Sequence, residues 1–363
     1  MAAILAAGAL IFGACTGDDD DDDAAGTTET TDAADAGENG GPEAGDTLAA
    51  VQDAGVLRCG TRDELPGFAV LDPAGEHVGF DADFCRAIAA AVLGDAEAVE
   101  FVDLETADRF TALQSGEIDV LVRNTTWTAT RDGAEGATFL HPNFYDGQGM
   151  MVAADSGIDS LDALAGQVVC VAGGTTTEGN IATEFTRRGL DLPEVLPFDS
   201  PDLIQVAFQE GRCDGWSSDL SQLVSLRSAY PDGPDSLVIF PDAFSKEPLA
   251  PAVRDGDTQW AQVVDWAIMA TIQAEEFGIT SENVDQILAD STDTGIRQFL
   301  GEAGEDAVLN PGLGLATDFA YQVVSQVGNY REIYDEHLTP LGLEGGLNTL
   351  WTDGGLLYAM PYK

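Results

Sequence analysis

The chain has 363 residues, 44% of them hydrophobic, enough for one large or two medium packed domains. Its formal net charge is −49, from 64 acidic against 15 basic residues. So negative a surface repels phosphate backbones and anionic headgroups, which excludes nucleic acid and an anionic membrane face as partners.

The N-terminus is a targeting segment. Ala2 to Ala14 is apolar, too short to span a bilayer as a mature helix, and Cys15 follows at once. Ile11-Phe12-Gly13-Ala14-Cys15 resembles a lipobox, the signal after which bacterial lipoproteins are cleaved and lipidated on the cysteine. Phe12 stands where Leu is usual and no basic residue precedes the run, so a plain cleaved export signal is the alternative. Residues 1–15 are read as this segment, with lipid on Cys15 the one tie to a membrane. Residues 16–46 form a disordered acidic tether. Residues 18–46 alone hold 12 acids and no Lys or Arg. Such a stretch buries too little apolar surface to fold, and its charges extend it.

The folded elements then follow in order. Thr47 to Gly55 reads as a helix ended by glycine, and Val56 to Gly60 as a strand. Phe80, Phe84, Ile88 and Val92 recur every four residues, an amphipathic helix. Val99 to Val102 is a strand, and Thr106 is placed to cap a helix that stops at Gly116. Ile118 to Val122 is a short buried strand, after which polarity flips through Arg123, Asn124, Thr125, Thr126, Thr128 and Thr130 to Arg131. Ligands of α/β sheets are held beyond such strand ends. Hydroxyls, an amide and a guanidinium suit a carboxylate, which Arg grips through two parallel hydrogen bonds.

Met150 to Val152 and Gln167 to Val171 are further strands, with a short helix from Ser160 to Ala165 between them. Gly173 and Gly174 turn into a helix start at which Thr175 and Glu178 are spaced as a capping box. Free N–H groups there favour an anion, though no Lys follows as in a P-loop. Ser200-Pro201 opens a helix ended by Gly211, and Leu237 to Phe240 is a strand. The remainder is mostly helical: Asp257–Ala274, Asn283–Leu288, Ile296–Leu300 and Phe319–Val327. Trp260, Trp266 and Trp351 are read as packing residues.

One device recurs. Ala112-Leu-Gln-Ser-Gly-Glu-Ile-Asp119 is echoed by Ala207-Phe-Gln-Glu-Gly-Arg-Cys-Asp214, 95 residues on. Five residues past each Asp lie Asn124 and Asp219. Two similar α/β lobes, each presenting this strand end to a shared cleft, are expected.

Several motifs, taken together, resemble a known family. Gly79 to Val92 is similar to the signature of the family 3 extracellular solute-binding proteins of ABC transporters, with Ala82 where a larger aliphatic is usual. Phe110–Asp119, Arg123–Thr128, Tyr145–Gly149, Gly174–Glu178, Ser245–Leu249, Val327–Tyr330 and Pro340–Asn348 resemble the general L-amino-acid-binding subfamily, and the likeness covers about 47–363. The resemblance implies an α/β, two-lobed periplasmic-binding-protein type II fold with two hinge crossings, near Gln148–Met151 and Phe240–Phe244. Lobe 1 would be 47–148 plus 243–363, and lobe 2 149–242.

It also implies roles. Arg131 would grip the ligand α-carboxylate with Thr176, and Asp219 would take the α-ammonium. Asn124 and Thr126 match neighbouring pocket positions. Thr175 opens the anion-favouring turn. Phe68 and Trp127, with Leu65 and Tyr145, are candidate apolar walls. This set aims no charge at a ligand side chain, which implies broad selectivity. No cofactor, catalytic residue or metal is implied. The partners would be an L-amino acid and permease subunits, and the chain is expected to act as a monomer in the cell envelope.

Beyond Cys15 there are four cysteines, Cys59, Cys85, Cys170 and Cys213, an even number that suggests disulfides in an exported chain. Three pairings exist. Each lobe owns two cysteines, which favours Cys59–Cys85 and Cys170–Cys213. Zinc is the rival, with unsuitable spacings and scattered histidines (His77, His141, His337). The functional rivals are a dehydratase-like enzyme on the same fold and a ligand-sensing subunit. No Ser-His-Asp order or HExxH motif supports the enzyme.

Overall fold

A computed structural model describes residues 46–302 and 310–362. The export segment with Cys15 and the tether up to residue 45 lie outside the described residues. No helix among the described residues is long and apolar enough to cross a membrane.

Two five-stranded sheets follow one plan. The first runs Val99–Asp103, Leu57–Thr61, Val120–Leu121, Ala252–Arg254, Ala137–Phe139. The second runs Glu194–Phe198, Val168–Ala172, Gly215–Asp219, Gln148–Ala153, Leu237–Ile239. In each, the first three strands are parallel and the fourth runs against both its neighbours. Helices cover parallel strands on both faces, which is why Val168-Val-Cys-Val-Ala172 reads as an unbroken apolar run.

The sequence echo has a physical basis in this plan. Gly116 (φ 74°) and Gly211 (φ 70°) end the preceding helices in the left-handed region that glycine enters freely. Asp119 then accepts the backbone N–H of Arg58 at 2.9 Å, and Asp214 accepts that of Val168 at 2.9 Å. Each Asp also returns its own N–H to the carbonyl of the same residue. The motif therefore pins each helix exit to the start of the second strand of its sheet.

The core of the first half is built on helix Phe80–Leu93, whose Phe80, Phe84 and Ile88 are fully buried. Phe80 meets Phe68, Phe84, Phe144, Tyr330 and Tyr334 in edge or tilted contacts. Disulfide Cys59–Cys85 ties this helix to the second strand of the sheet, with Cα atoms 6.0 Å apart. Cys170–Cys213, with Cα atoms 5.7 Å apart, ties the second strand of the other sheet to the loop between helix Pro201–Gln209 and strand Gly215–Asp219. With all four thiols bonded, the zinc alternative falls.

Between the sheets lies a two-stranded ribbon, Phe144–Asp146 against Glu247–Leu249, in which Asp146 faces Glu247. The chain leaves the ribbon at Gly147 and enters the second sheet at Gln148. A Cβ on Gly147 would sit 2.6 Å from the Ala243 methyl and 2.9 Å from the Ser245 carbonyl, so only glycine lets the two crossings lie this close.

Several elements differ from expectation. Strand Ile118–Val122 shrinks to Val120–Leu121, and Ser160–Ala165 to a single tight turn at Asp162–Leu164. Thr106 does not cap the next helix, which starts at Arg109 after Asp108; its hydroxyl accepts from Arg123 instead. Thr175 and Glu178 form no capping box: the Thr175 hydroxyl donates to the Ala172 carbonyl at 2.7 Å. Helices Ala129–Ala134, Leu220–Ser228 and Tyr330–His337 were not foreseen. Trp260 is core, its indole N–H donating to the Asp119 carbonyl at 2.8 Å, whereas Trp351 is 53% exposed.

Candidate functional site

The strand end at Val120–Leu121 feeds one wall of a polar pocket. Arg123 comes off it buried, its Nε donating to the Leu104 carbonyl at 2.9 Å and Nη2 to Thr106 Oγ1 at 3.2 Å. Asn124 adopts φ 32°, a left-handed turn that Asn tolerates better than most residues. Its backbone N–H donates to Asp81 at 3.1 Å, and its side-chain oxygen Oδ1 accepts from Arg62 at 3.1 Å. Its amide nitrogen reaches Gln222 on the opposite wall at 3.4 Å.

Arg131 sits on helix Ala129–Ala134, which Thr128 caps by accepting the Arg131 N–H. Its Nη1 donates to the Thr126 carbonyl at 2.9 Å, which aims the guanidinium along the wall. Arg109, on helix Arg109–Ser115, lies beside it, 4% exposed. Arg109 Nη2 donates to the Gly174 carbonyl at 3.4 Å, and its buried Nε has no partner.

The facing wall comes from the second sheet. Gly174 (φ 67°) and Thr175 turn into helix Thr176–Arg188, and strand Gly215–Asp219 ends at Ser218 and Asp219 before helix Leu220–Ser228 brings Gln222. Arg62, Arg109, Arg123, Asn124, Thr126 and Arg131 line one side; Thr175, Thr176, Ser218, Asp219 and Gln222 line the other. The space left between them is about 30 Å³, room for only about two or three water-sized spheres. A guest the size of an amino acid therefore needs the walls to part.

The charge balance is uneven. Four of the chain's 15 basic residues converge here. Arg62 is paired with Glu64 at 2.6 Å, but Arg109, Arg123 and Arg131 donate to neutral oxygens. Burial, then the crowding of Arg131, Arg123 and Arg62, drives the Arg109 pKa down. Burial does the same to Arg123, to about 9, and to Arg131. Asp219, 7% exposed, is pushed the other way by burial and then by Asp146 and Glu247, which outweigh Arg131 and Arg109. Buried cations facing neutral oxygens are costly without an anion, so this wall is built for one.

The structure brings Arg131, Asn124, Thr126, Thr175, Thr176 and Asp219 together. It leaves two of the named residues outside. Phe68 is fully buried among Phe80 and Phe144, in the core rather than a ligand wall. Trp127 is 39% exposed, stacked on Phe139 at 6.3 Å, and lines a separate surface recess with Tyr145 and Lys246. Thr176 spends its hydroxyl proton on Glu247 at 2.9 Å, so what it can offer a carboxylate here is its backbone N–H. Sequence reasoning missed Arg62 and Arg109 as pocket residues and passed over Arg123. Arg62 was findable, because it directly follows strand Leu57–Thr61, much as Arg123 follows strand Val120–Leu121 after one intervening residue, Val122. Arg109 carries no such signal.

Comparisons with known proteins agree on a lineage. The profile of the bacterial extracellular solute-binding proteins, family 3, matches residues 57–283. The chain is 45% identical over 320 residues to the general L-amino acid-binding periplasmic protein AapJ of Rhizobium johnstonii, covering 87% of this chain and 93% of that protein. It is 42% identical over 326 residues to the glutamate/glutamine/aspartate/asparagine-binding protein BztA of Rhodobacter capsulatus, covering 89% and 95%. A solved ABC-transporter periplasmic binding protein from Brucella ovis, with glutathione bound, superposes with TM-score 0.83 at 42% identity, covering 87% of this chain and 99% of that one.

Proposed function

The chain belongs to the bacterial extracellular solute-binding proteins, family 3, and from that premise we propose that it captures a free L-amino acid outside the cytoplasm and delivers it to an ABC-transporter permease. Lobe 1 is assigned to 47–148 plus 243–363 and lobe 2 to 149–242. The observation that carries the reading is that Arg131, on helix Ala129–Ala134, and Asp219, at the end of a second-sheet strand, line one pocket without forming an ion pair with each other. An amino acid supplies the missing partners: its carboxylate for Arg131, its ammonium for Asp219. Only the closed arrangement satisfies both, so ligand free energy is available to drive closure.

The same charge balance narrows the ligand. Arg109 and Arg123 remain after the α-groups are matched, and both face neutral oxygens. A second carboxylate on the ligand side chain meets them, so glutamate and aspartate fit this cleft better than leucine or lysine. The relative named for glutamate, glutamine, aspartate and asparagine is consistent with this choice.

The test is to load the purified chain with a mixture of the twenty amino acids, wash, and identify what it retains. Intact acidic amino acid supports the reading. A converted product, or retention only of cationic amino acids, sinks it. Asp219→Ala should abolish retention. The mass of the mature N-terminus decides whether Cys15 carries lipid.

A further inference from the structure

The ribbon between the sheets places two carboxylates directly opposite each other, Asp146 and Glu247. Each reaches a different helix of the second half at its first turn. Asp146 Oδ2 accepts the backbone N–H of Ser221 at 3.2 Å and also the Ser221 hydroxyl. Glu247 Oε2 accepts from Thr176 Oγ1 at 2.9 Å, and its Oε1 from the Asn180 side-chain amide at 2.7 Å and the Ser245 hydroxyl at 2.5 Å. Glu247 is 2% exposed, and the donors it meets are hydroxyls and an amide, not cations. A carboxylate at a helix N-terminus is favoured by the orphan N–H groups and the helix dipole.

The two captured helices are those that carry the lobe 2 wall. Thr175 and Thr176 open one, Asp219 and Gln222 the other. We propose that Glu247 and Asp146 are positioning residues that clasp these two helix starts and hold the cleft shut around its ligand. This rests on the amino-acid-binding reading above. The clasp explains why two acids, the buried Glu247 and the half-buried Asp146, stand near Asp219, whose charge they oppose. Their negative charge is spent on lobe 2 donors; Asp146 holds Ser221 beside the crossing strand, where Asp219 pairs with Gln148, and Glu247 reaches further out to Thr176 and Asn180. A clasp of this kind acts mainly on release: it favours the closed cleft, with or without a guest, so its loss speeds opening far more than it alters encounter.

The experiment uses the whole mature chain with glutamate and aspartate as probes, reading association and dissociation rates by stopped flow. Glu247→Gln keeps the shape but offers an amide where Thr176 or Asn180 donates. The dissociation rate should rise about 10-fold or more, as for a lost charge-assisted hydrogen bond, with association within about 2-fold. Asn180→Ala, outside the pocket lining, should act in the same direction, and the double variant should fall short of the product of the two. If Glu247→Gln does not fold, Asn180→Ala carries the test alone. An unchanged release rate, a loss confined to association, or fully multiplicative effects would overturn the clasp. If the wild-type chain retains no amino acid, the functional reading fails separately. Small-angle scattering then decides on the clasp: Glu247→Gln must enlarge the unliganded chain, and an identical radius of gyration rejects it.

Discussion

Arg109 and Arg131 share one aromatic neighbour: their guanidinium carbons lie 5.2 Å and 5.8 Å from the centroid of the Phe110 ring. Two like charges are thus held side by side, and the ring softens the cost of each. Without an anion that arrangement is strained electrostatically, and Arg109 is the worse placed, with its Nε unpartnered. Replacing Arg109 by Met should therefore raise the melting temperature of the empty protein, by the equivalent of about 1 kcal/mol or more. It should also weaken glutamate about 10- to 100-fold and leave alanine nearly unaffected. Scanning calorimetry with and without each amino acid reads both signs at once. Equal losses for glutamate and alanine would place Arg109 on the α-carboxylate instead.

Asp219 should make binding depend on pH. Burial first, then Asp146 and Glu247, raise its pKa in the empty cleft. An ammonium favours the ionised carboxylate, so ligand entry pulls a proton off wherever Asp219 is protonated. Affinity should climb with pH and level off above the empty-site pKa. Isothermal calorimetry between about pH 5 and 9, in buffers of differing ionisation enthalpy, should detect the released proton. Asp219→Asn should bind weakly at every pH, with no proton released. A profile unchanged by that substitution would remove Asp219 from the site.

The echo at Asp119 and Asp214, the glycine stops and the four-residue period of Phe80, Phe84 and Ile88 were legible because each is a local rule written into consecutive residues. Arg131 and Asp219 were legible as pocket residues for a related reason: a run of polar residues leads to the first, and the repeated motif points to the second. Arg109 was not. It reaches the pocket because helix Arg109–Ser115 packs across strand ends from elsewhere in the chain, and no local pattern encodes that placement. Phe68 failed in the opposite direction: an aromatic beside a polar loop looks like a pocket wall until Phe80 and the distant Phe144 close a ring cluster around it. Thr175 and Glu178 have capping-box spacing, but the hydroxyl found the Ala172 carbonyl instead, a competition that spacing does not reveal.

The two disulfides should matter unequally to binding and alike to stability. Each closes a loop, of 26 residues for Cys59–Cys85 and 43 for Cys170–Cys213, and ties the second strand of its sheet to a helix in the first case and to a loop in the second. Loop closure of this size is worth about 2–4 kcal/mol in the unfolded chain. Replacing either pair by Ala should lower the melting temperature by several degrees without changing the helix content. Cys170–Cys213 lies just before the strand that ends at Asp219, so its loss should also weaken the ligand, whereas loss of Cys59–Cys85 should weaken it less. Melting curves and calorimetry on the two double variants test the order.

Asp81 should give the fold a measurable dependence on pH. It is 2% exposed at the start of helix Phe80–Leu93, and burial raises its pKa from 3.8 to about 7 against the opposing pull of the Asn124 N–H and of Arg62 and Arg123. Because the folded value lies above the unfolded one, the folded state binds the extra proton between them. Its contribution to stability is fully present below the unfolded pKa of 3.8 and is lost as pH rises through about 7. The many surface acids also favour low pH through mutual repulsion, so the slope of the wild type alone proves nothing. Asp81→Asn isolates the group: its carbonyl oxygen still accepts the Asn124 N–H, but it never ionises. The variant should track the wild type near pH 4 and become progressively the more stable of the two toward pH 8. Parallel melting curves across that range would mean that Asp81 titrates as it does in the unfolded chain.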